Sequence, residues 1–348
     1  MKIAIHPSKI SYSDKWIDYC KEKNITYKIV DCYKSDIIRQ LSDCDALMWH
    51  YHHKNSKDVL FARQLLYALE ASGKKVYPDF HTGWHFDDKV GQKYLLEAIG
   101  APLVPSYVFY SKSETKQWIR HAAFPKVFKL RKGSGSATVK LVKSRKHADR
   151  IINKAFGSGF RQYDPWGGLK ERWRLFKLGK SNFTDLLEGI GRIIIKTDFE
   201  KIIGKEKGYV YFQDFIEGCT FDIRVTIIDN KCYVFKRLIR EKDFRASGSH
   251  IESHSKEGIP LEIIELSFKI SKALKLQSVA FDFIISSENK PLITEISYAF
   301  GWEEGDADGY WDSDLNWHEV SFNPFGVMVE NLIKSVETTK QKTSEKNE

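Results

Sequence analysis

The chain has 348 residues, of which 42% are hydrophobic and 14% aromatic, so it can bury large cores and is not intrinsically disordered. Its net charge of +9 favours an anionic partner, but the basic residues are spread out, which disfavours a nucleic-acid-binding tail. Five cysteines without a CxxC pair indicate a reducing compartment, and no signal peptide or long apolar run opens the chain. We therefore expect a cytoplasmic protein of two or three domains without a membrane partner.

The first 86 residues alternate short apolar strands with helical segments and predict a small parallel sheet. Strands are predicted at residues 2–6, 27–30, 46–50 and 75–77. Ligands bind outside the carboxyl ends of such strands, where this chain places polar side chains: His6, His50, His52, His53, Asp79 and His81. A histidine-lined substrate pocket and ordinary polar strand ends both explain this pattern. A zinc site at His50 and His52 is disfavoured, because no Cys or acid stands at ligand spacing.

Two lysines occupy positions that are unfavourable for a positive charge unless an anion binds beside them. Lys89 follows Asp87 and Asp88, either of which can cap the next helix, so Lys89 falls at the positive end of the helix dipole. Lys129 lies among apolar neighbours in a predicted strand. The loop after it can wrap an anion with its backbone N–H groups, although an ordinary hairpin turn is the more common explanation. That loop consists of Gly133, Ser134, Gly135 and Ser136.

The segment 155–207 interrupts the strand pattern with basic and aromatic residues. We interpret it as an inserted subdomain rather than as a surface that stacks nucleic-acid bases. Strands return at residues 209–216, 221–228 and 232–239. The arginines of this region, among them Arg237 and Arg245, suit bidentate binding of phosphate.

Residues 278–297 predict two strands joined by a polar turn at residues 286–290. Folding this hairpin brings Asp282 opposite or nearly opposite Glu295, and Ser297 shares the face of Glu295 because side chains repeat every second residue. Two adjacent carboxylates repel each other unless a cation lies between them. Mg²⁺ takes one or two carboxylates together with phosphate oxygens, so a magnesium site is one interpretation. Two solvated acids on an exposed face are the other.

The ordered set of Lys89, Lys129 with its Gly-Ser loop, QDFIEG with FDIRV, KRLIREKDFR and the FDFI…ITEIS hairpin resembles the ATP-grasp superfamily. Within it, the chain is most similar to the RimK and glutathione-synthetase type of carboxylate–amine ligase, over residues 87–301. The resemblance implies an α/β and α+β architecture, in which an N-terminal parallel-sheet domain precedes two subdomains that grip ATP. The implied divisions are 1–86, 87–208 with an insertion near 155–207, 209–334, and a disordered tail at 335–348.

The resemblance also implies a role for each candidate residue. Phosphates would be held by Lys89 and Lys129, with a mobile lid at Gly133, Ser134, Gly135 and Ser136. Adenine would meet the backbone of Gln213, Asp214, Phe215 and Ile216, while Asp222 would bind the ribose and Arg245 the γ-phosphate. Two Mg²⁺ ions, which Mn²⁺ could replace, would be bound by Asp282, Glu295 and Ser297. Ser297 stands where the family usually has Asn, and Ala246 and Ser247 replace a polar pair that usually ends in Asn.

The implied reaction joins a small-molecule or peptide carboxylate to an amine through an acylphosphate, with Arg237 or Arg245 steadying the intermediate. The acidic and aromatic loop 302–317 would form an amine site, unless it is only a solvated loop. Two alternatives stay open: a phosphotransferase of the same fold, and a nucleic-acid-binding protein with a decayed ATP site. Because homodimers are frequent in this family, the resemblance also implies a possible homodimer.

Overall fold

The computed structural model describes residues 1–9, 11–133, 138–162, 165–177, 181–194, 198–239, 244–245, 251–302, 309–321 and 323–345. The N-terminal domain contains β1 (Ile3–Ile5), α1 (Ser13–Glu22), β2 (Tyr27–Ile29), α2 (Ile37–Gln40), β3 (Ala46–Met48), α3 (Ser56–Ala71), β4 (Lys75–Tyr77) and α4 (Phe80–Gly83). The four strands pair in parallel in the order β2-β1-β3-β4. The predicted parallel sheet is therefore confirmed.

The next segment leads into a second, antiparallel sheet. It contains α5 (Lys89–Ala98), β5 (Ser106–Phe109), α6 (Lys112–Trp118), β6 (Lys126–Lys129), β7 (Lys140–Val142) and α7 (Arg145–Ala155). The side chain of Asp88 caps α5 by accepting from the N–H of Gly91 at 2.9 Å, and Gly100 ends the helix region with a φ of +67°. An aspartate cap at this helix had been predicted from the sequence, with Asp87 and Asp88 as the two candidates.

The predicted insertion is a set of helices closed at its base by a two-stranded sheet. It consists of β8 (Phe160–Arg161), α8 (Pro165–Lys177), α9 (Phe183–Ile194), α10 (Asp198–Ile203) and β9 (Lys205–Glu206), and β8 pairs with β9. The strand that follows, β10 (Val210–Asp214), then returns to the second sheet, whose order is β5-β10-β6-β7. The division predicted at residue 209 therefore falls too early, because β10 pairs on both sides with strands of the preceding subdomain.

The C-terminal subdomain is built on a larger antiparallel sheet. Its elements are β11 (Phe221–Ile228), β12 (Lys231–Leu238), β13 (Glu252–Ser253), α11 (Leu261–Leu274), β14 (Ser278–Ile285), β15 (Pro291–Ser297), β16 (Tyr310–Asp312) and β17 (Trp317–His318). The main order is β15-β14-β11-β12-β16-β17, with β13 paired to β12. Helix α11 buries Ile263, Ile264 and Ile270 in the core of this sheet.

The last helix, α12 (Pro324–Ser344), corrects the prediction of a disordered tail at 335–348. Val336 is only 4% exposed and belongs to a hydrophobic cluster that also contains the N-terminal sheet. Further along, Lys340 forms an ion pair with Asp45 at 2.7 Å. Among the described side chains from residue 335 onward, Val336 alone is buried, so the polar composition of this segment hid the position that docks the helix.

Candidate active site

Most of the candidate residues line one cleft between the sheet that contains β10 and the sheet that contains β14 and β15. The cleft encloses about 890 Å³ of space, part of which is open to solvent. The candidate residues that line it are Lys89, Lys129, Gly133, Gln213, Asp214, Phe215, Ile216, Asp222, Arg245, Asp282 and Glu295. Ser134, Gly135 and Ser136 lie outside the described residues.

The two lysines predicted to hold an anion are buried and face the same carboxylate strand. The ammonium of Lys89 lies 3.0 Å from the Glu295 carboxylate and donates to the carbonyl of Gly133 at 2.7 Å. Burial opposes its charge, but the carboxylates of Glu295 and Asp87 raise the pKa of Lys89 above the ordinary value. Lys129 donates only a long bond, 3.4 Å, to the carbonyl of Thr294. Burial therefore dominates there and lowers the pKa of Lys129 to about 8.

Asp87 holds the first residue of the Gly-Ser loop. Its carboxylate accepts from the N–H of Gly133 at 2.7 Å, and its backbone has a positive φ of 52°. Burial raises the pKa of Asp87 to about 6. The sequence indicated Asp87 only as a helix cap, a role that Asp88 takes instead. Asp87 is therefore a contact of the loop base that sequence reasoning missed.

The predicted carboxylate pair of the hairpin is confirmed. Asp282 on β14 and Glu295 on β15 are direct cross-strand partners, next to an irregularity that shifts the register after Asp282. Thr294 bridges this irregularity by donating its hydroxyl to the carbonyl of Asp282 at 3.0 Å. Ser297 pairs across the hairpin with Ala280, and its hydroxyl donates to the carbonyl of Ala299 at 3.0 Å. Ser297 is thus part of the turn after β15 and is not among the residues that line the cleft.

Alternating acids and arginines cross three adjacent strands, β12, β11 and β14. Arg237 on β12 makes two hydrogen bonds of 2.7 Å to Asp222 on β11 and also lies 3.0 Å from Asp282 on β14. Arg224 on β11 grips Asp282 in a bidentate pair of 2.8 and 2.9 Å. Burial opposes ionisation of Asp282, but the two guanidinium groups hold its pKa well below the usual range. The series fixes the plane of the Asp282 carboxylate from two sides.

Strand β10 positions the segment 213–216, whose backbone was predicted to meet adenine. The Gln213 side chain is buried and donates to the Ser106 hydroxyl at 3.1 Å, while the backbone N–H of Asp214 donates to the carbonyl of Pro105. The Asp214 carboxylate accepts from Lys126, its cross-strand partner on β6. These contacts hold the end of β10 on one wall of the cleft.

Sequence reasoning missed the apolar wall of the cleft and the role of Arg224. The wall consists of Val127, Val139, Cys219, Phe221, Ile239, Phe244 and Ile284. The rings of Phe215 and Phe244 meet edge to face at 6.0 Å. Arg224 stands in the FDIRV motif, two residues after Asp222, and that spacing on a strand places both side chains on one face.

The histidines at the strand ends of the N-terminal sheet are packed against neighbouring side chains. His6 and His50 are buried, and burial lowers the pKa of both rings. His50 stacks on Tyr12 with ring centroids 3.7 Å apart and accepts from the Tyr12 N–H at 3.2 Å. Among the residues with described positions, no three His, Cys, Asp or Glu side chains gather as ligands of one metal ion. Residues 303–308 of the acidic loop lie outside the described part of the chain.

Comparison with known proteins gives one family match and many structural ones. Residues 188–311 match the family model of the RimK-like ATP-grasp domain. No curated protein sequence matches the chain significantly. The matched stretch contains Asp222, Asp282 and Glu295, whereas Lys89 and Lys129 precede it.

Three solved structures of similar proteins share the architecture over nearly the whole chain. The RimK domain ATP-grasp protein of Sphaerobacter thermophilus is 13% identical, with a TM-score of 0.53 and coverage of 95% of this chain and 99% of that one. The D-cycloserine synthetase DcsG is 12% identical, with a TM-score of 0.56 and coverage of 96% and 99%. The ATP-grasp ligase PsnB, solved with a minimal precursor, Mg and ADP, is 14% identical, with a TM-score of 0.52 and coverage of 96% and 98%. At such identities the likeness is one of fold alone.

Proposed function

Because this chain has the ATP-grasp fold and carries a RimK-like ATP-grasp domain, as its sequence predicted, we propose that it is an ATP-dependent carboxylate–amine ligase. The observation that carries the proposal is the single cleft in which two buried lysines face the carboxylate hairpin. A triphosphate would find cations for its oxygens there, and carboxylates for the divalent ion that accompanies it. The products would be an amide or peptide bond, ADP and phosphate.

The cleft can hold each part of ATP. Adenine would lie between the backbone of residues 213–216 and the apolar wall that includes Phe244 and Ile284. Asp222 would bind the ribose, because a carboxylate has about four acceptor positions and Arg237 uses two of them. The phosphates would meet Lys89, Lys129 and Arg245, which also line the cleft.

The hairpin can bind Mg²⁺, although it offers fewer free carboxylate oxygens than the sequence implied. Arg224 and Arg237 occupy three acceptor positions of Asp282, which leaves one of about four for a metal ion. Glu295 is 32% exposed, and its described polar contact is with Lys89, so it is the better ligand. Phosphate oxygens and waters would complete the octahedron that Mg²⁺ requires. When bound, the ion would neutralise charge on the transferring phosphoryl group.

The residues of the chain would then act by positioning and charge neutralisation. The substrate carboxylate attacks the γ-phosphorus of ATP, which yields an acylphosphate and ADP, and the amine then attacks the acyl carbon and expels phosphate. Lys89, Lys129 and Arg245 would offset the charge that develops on the phosphoryl oxygens. Arg237 is 4% exposed and bound by two aspartates, so we assign it to positioning Asp282 rather than to contact with the intermediate.

The acid and amine would be a small-molecule or peptide carboxylate and an amine acceptor. We place them on the side of the cleft that faces the carboxyl ends of the N-terminal strands. There Tyr12 ties the first domain to the segment after β15 by donating its hydroxyl to the carbonyl of Phe300 at 2.7 Å. That segment begins directly after β15, the strand that carries Glu295, and this closeness in the chain supports its use in substrate binding.

The test is a screen of acids in the presence of ATP, Mg²⁺ and hydroxylamine. A ligase converts its acid to a hydroxamate in step with ADP release, and we expect Glu295→Gln to lose both signals. ADP release without hydroxamate for any acid that stimulates it would instead indicate a phosphotransferase. If ATP with Mg²⁺ failed to raise the melting temperature of the wild-type protein, an active nucleotide site would be excluded.

A further inference from the structure

The helical insertion exposes a group of large apolar side chains that no described part of the chain covers. We call this group the insertion face. It consists of Trp173, Phe176, Phe183, Leu187 and Ile190, which are 48, 37, 59, 52 and 46% exposed. Single exposed apolar residues are common on protein surfaces, but a contiguous group of this size marks a surface that meets something else.

The geometry of the helix pair makes these residues neighbours. The inner side of α9 packs closely on α8, since Leu186 is 7% exposed and a Cβ at Gly189 would lie 2.9 Å from the Arg172 side chain. Phe183, Leu187 and Ile190 recur at intervals of four and three residues and so share the outer side of α9. The Phe176 ring joins this outer side to α8, with centroids 6.4 Å from Phe183 and 6.2 Å from Trp173.

The charge around the insertion face selects an anionic partner. Helix α8 contains four basic residues and one acidic residue, and the ammonium of Lys177 lies 5.4 Å from the ring centroid of Trp173. The whole chain has a net charge of +9. Pairing of two copies through this face would bring like charges together. Nucleic acid would stack on the aromatic rings, but it gives no reason for the exposed aliphatic side chains of Leu187 and Ile190.

We propose that the insertion face attaches the protein to an anionic phospholipid surface. Helices that lie in a membrane interface combine Trp, Phe and Leu on one side with Lys and Arg beside them, which is the arrangement of α8. Helix α9 adds Phe183 and Leu187 to the apolar side and carries two acids, Asp185 and Glu188, so the net positive charge of the pair comes from α8. Across the described residues, no helix is long and apolar enough to cross a membrane. The attachment is therefore peripheral. It revises the expectation of no membrane partner, and it does not depend on the ligase activity.

The test is sedimentation of the full-length protein with vesicles of phosphatidylcholine alone or mixed with phosphatidylglycerol. We expect binding to the anionic vesicles only, with weakening as salt is raised. The double variant Phe183→Ser/Leu187→Ser should bind at least tenfold more weakly. Arg174→Glu/Lys177→Glu should lose the preference for anionic lipid. The control is Ile38→Ser/Val320→Ser, which removes apolar side chains of 58 and 54% exposure from other surfaces and should bind like wild type.

A second measurement protects the test against misfolded variants. Brominated phosphatidylglycerol should quench part of the tryptophan fluorescence of the wild-type protein, and the mild substitution Trp173→Phe should remove that part. The proposal is overturned if the wild-type protein binds neither kind of vesicle, or binds both equally. It is also overturned if a lipid-free dimer or an RNA complex depends on Phe183 and Leu187 while vesicle binding does not.

Discussion

The pKa values of Lys89 and Lys129 are shifted in opposite directions, although both side chains lie in the same cleft. Lys89 has Glu295 and Asp87 beside it, so its charge is stabilised despite burial. For Lys129, burial outweighs the attraction of Glu295 and Asp282, and the nearby charge of Lys89 acts in the same direction as burial, so its pKa falls to about 8. A charged Lys129 therefore costs free energy in the empty cleft, which an anionic ligand can recover.

The lowered pKa of Lys129 predicts that ATP binds more weakly as the pH rises through about 8, because Lys129 then loses its positive charge. The effect on folding has the opposite sign. Between pH 8 and 10.5 the unfolded chain retains a proton that folded Lys129 has released, so stability from this group rises with pH. Calorimetric titration of ATP from pH 7 to 9.5 measures the first effect. Lys129→Arg is the matched control and should show no such decline, and an affinity of wild type that stays constant to pH 9.5 would contradict the assignment.

Substitution of Asp282 should reduce the free energy of unfolding more than substitution of Glu295, although both residues are proposed to bind the same metal ion. Removing Asp282 leaves Arg224 and Arg237 without their shared acid, so Asp282→Ala should lower the free energy of unfolding by about 3 kcal/mol. Glu295 is partly exposed and pairs with Lys89, so Glu295→Gln should cost less than about 1 kcal/mol. Urea unfolding measures both, and equal losses would contradict a structural role of the arginine pair.

At the scale of elements, the sequence predicted the strand pairings that depend on residue spacing about a single turn. The hairpin 278–297 and the pairing of Asp282 with Glu295 follow from alternation about one turn. The pairing of Asp222 with Arg237 was missed by one residue, because the predicted strands 221–228 and 232–239 leave three residues in the turn, whereas Asp229 and Asn230 alone separate β11 from β12. The pairing of Arg224 with Asp282 was not accessible, since β11 and β14 are joined through α11 and no local rule sets their register. The same limit hid β10 between β5 and β6.

The C-terminal half of helix α12, which was predicted from the sequence to be a disordered tail, provides a test at this scale. Ending the chain after Ser335 removes Val336 from the core and Lys340 from its pair with Asp45. We expect the free energy of unfolding to fall by about 2 kcal/mol, mainly from the lost burial of Val336. Thermal and urea unfolding measure this loss. A chain that ends at Ser344 is the control, and an equal stability of the two truncated chains would mean that the last turns of α12 contribute nothing.

At the scale of the molecule, the hydrophobic core of the first domain is completed by other parts of the chain. Its hydrophobic cluster includes Tyr298 and Phe300 from the segment after β15, and Phe325, Met328 and Leu332 from α12. Tyr12 adds polar contacts, since its hydroxyl donates to the carbonyl of Phe300 and accepts from the Phe300 N–H at 2.6 Å. The domain that would bind substrate and the subdomain that would bind metal therefore share one core.

This shared core predicts that a fragment of residues 1–86 does not reach the native state alone. The fragment keeps its four-stranded sheet but lacks the side chains of α12 that cover Trp16 and Tyr19. Near-ultraviolet circular dichroism should show no fixed aromatic environment in the fragment, while the full chain shows one. A sharp, cooperative thermal transition of the fragment would contradict the prediction.

The cysteines of the chain allow the cleft to be observed without engineering. Cys20, Cys32, Cys44 and Cys232 are buried, whereas Cys219 is partly exposed and lines the cleft beside Phe221. Burial raises the pKa of the Cys219 thiol, so an alkylating fluorophore should label it slowly and at mildly alkaline pH. Labelling of the native protein should be confined to this thiol, and bound ATP should protect it. The rate of alkylation then reports nucleotide occupancy directly, through a thiol that the chain already carries in its cleft.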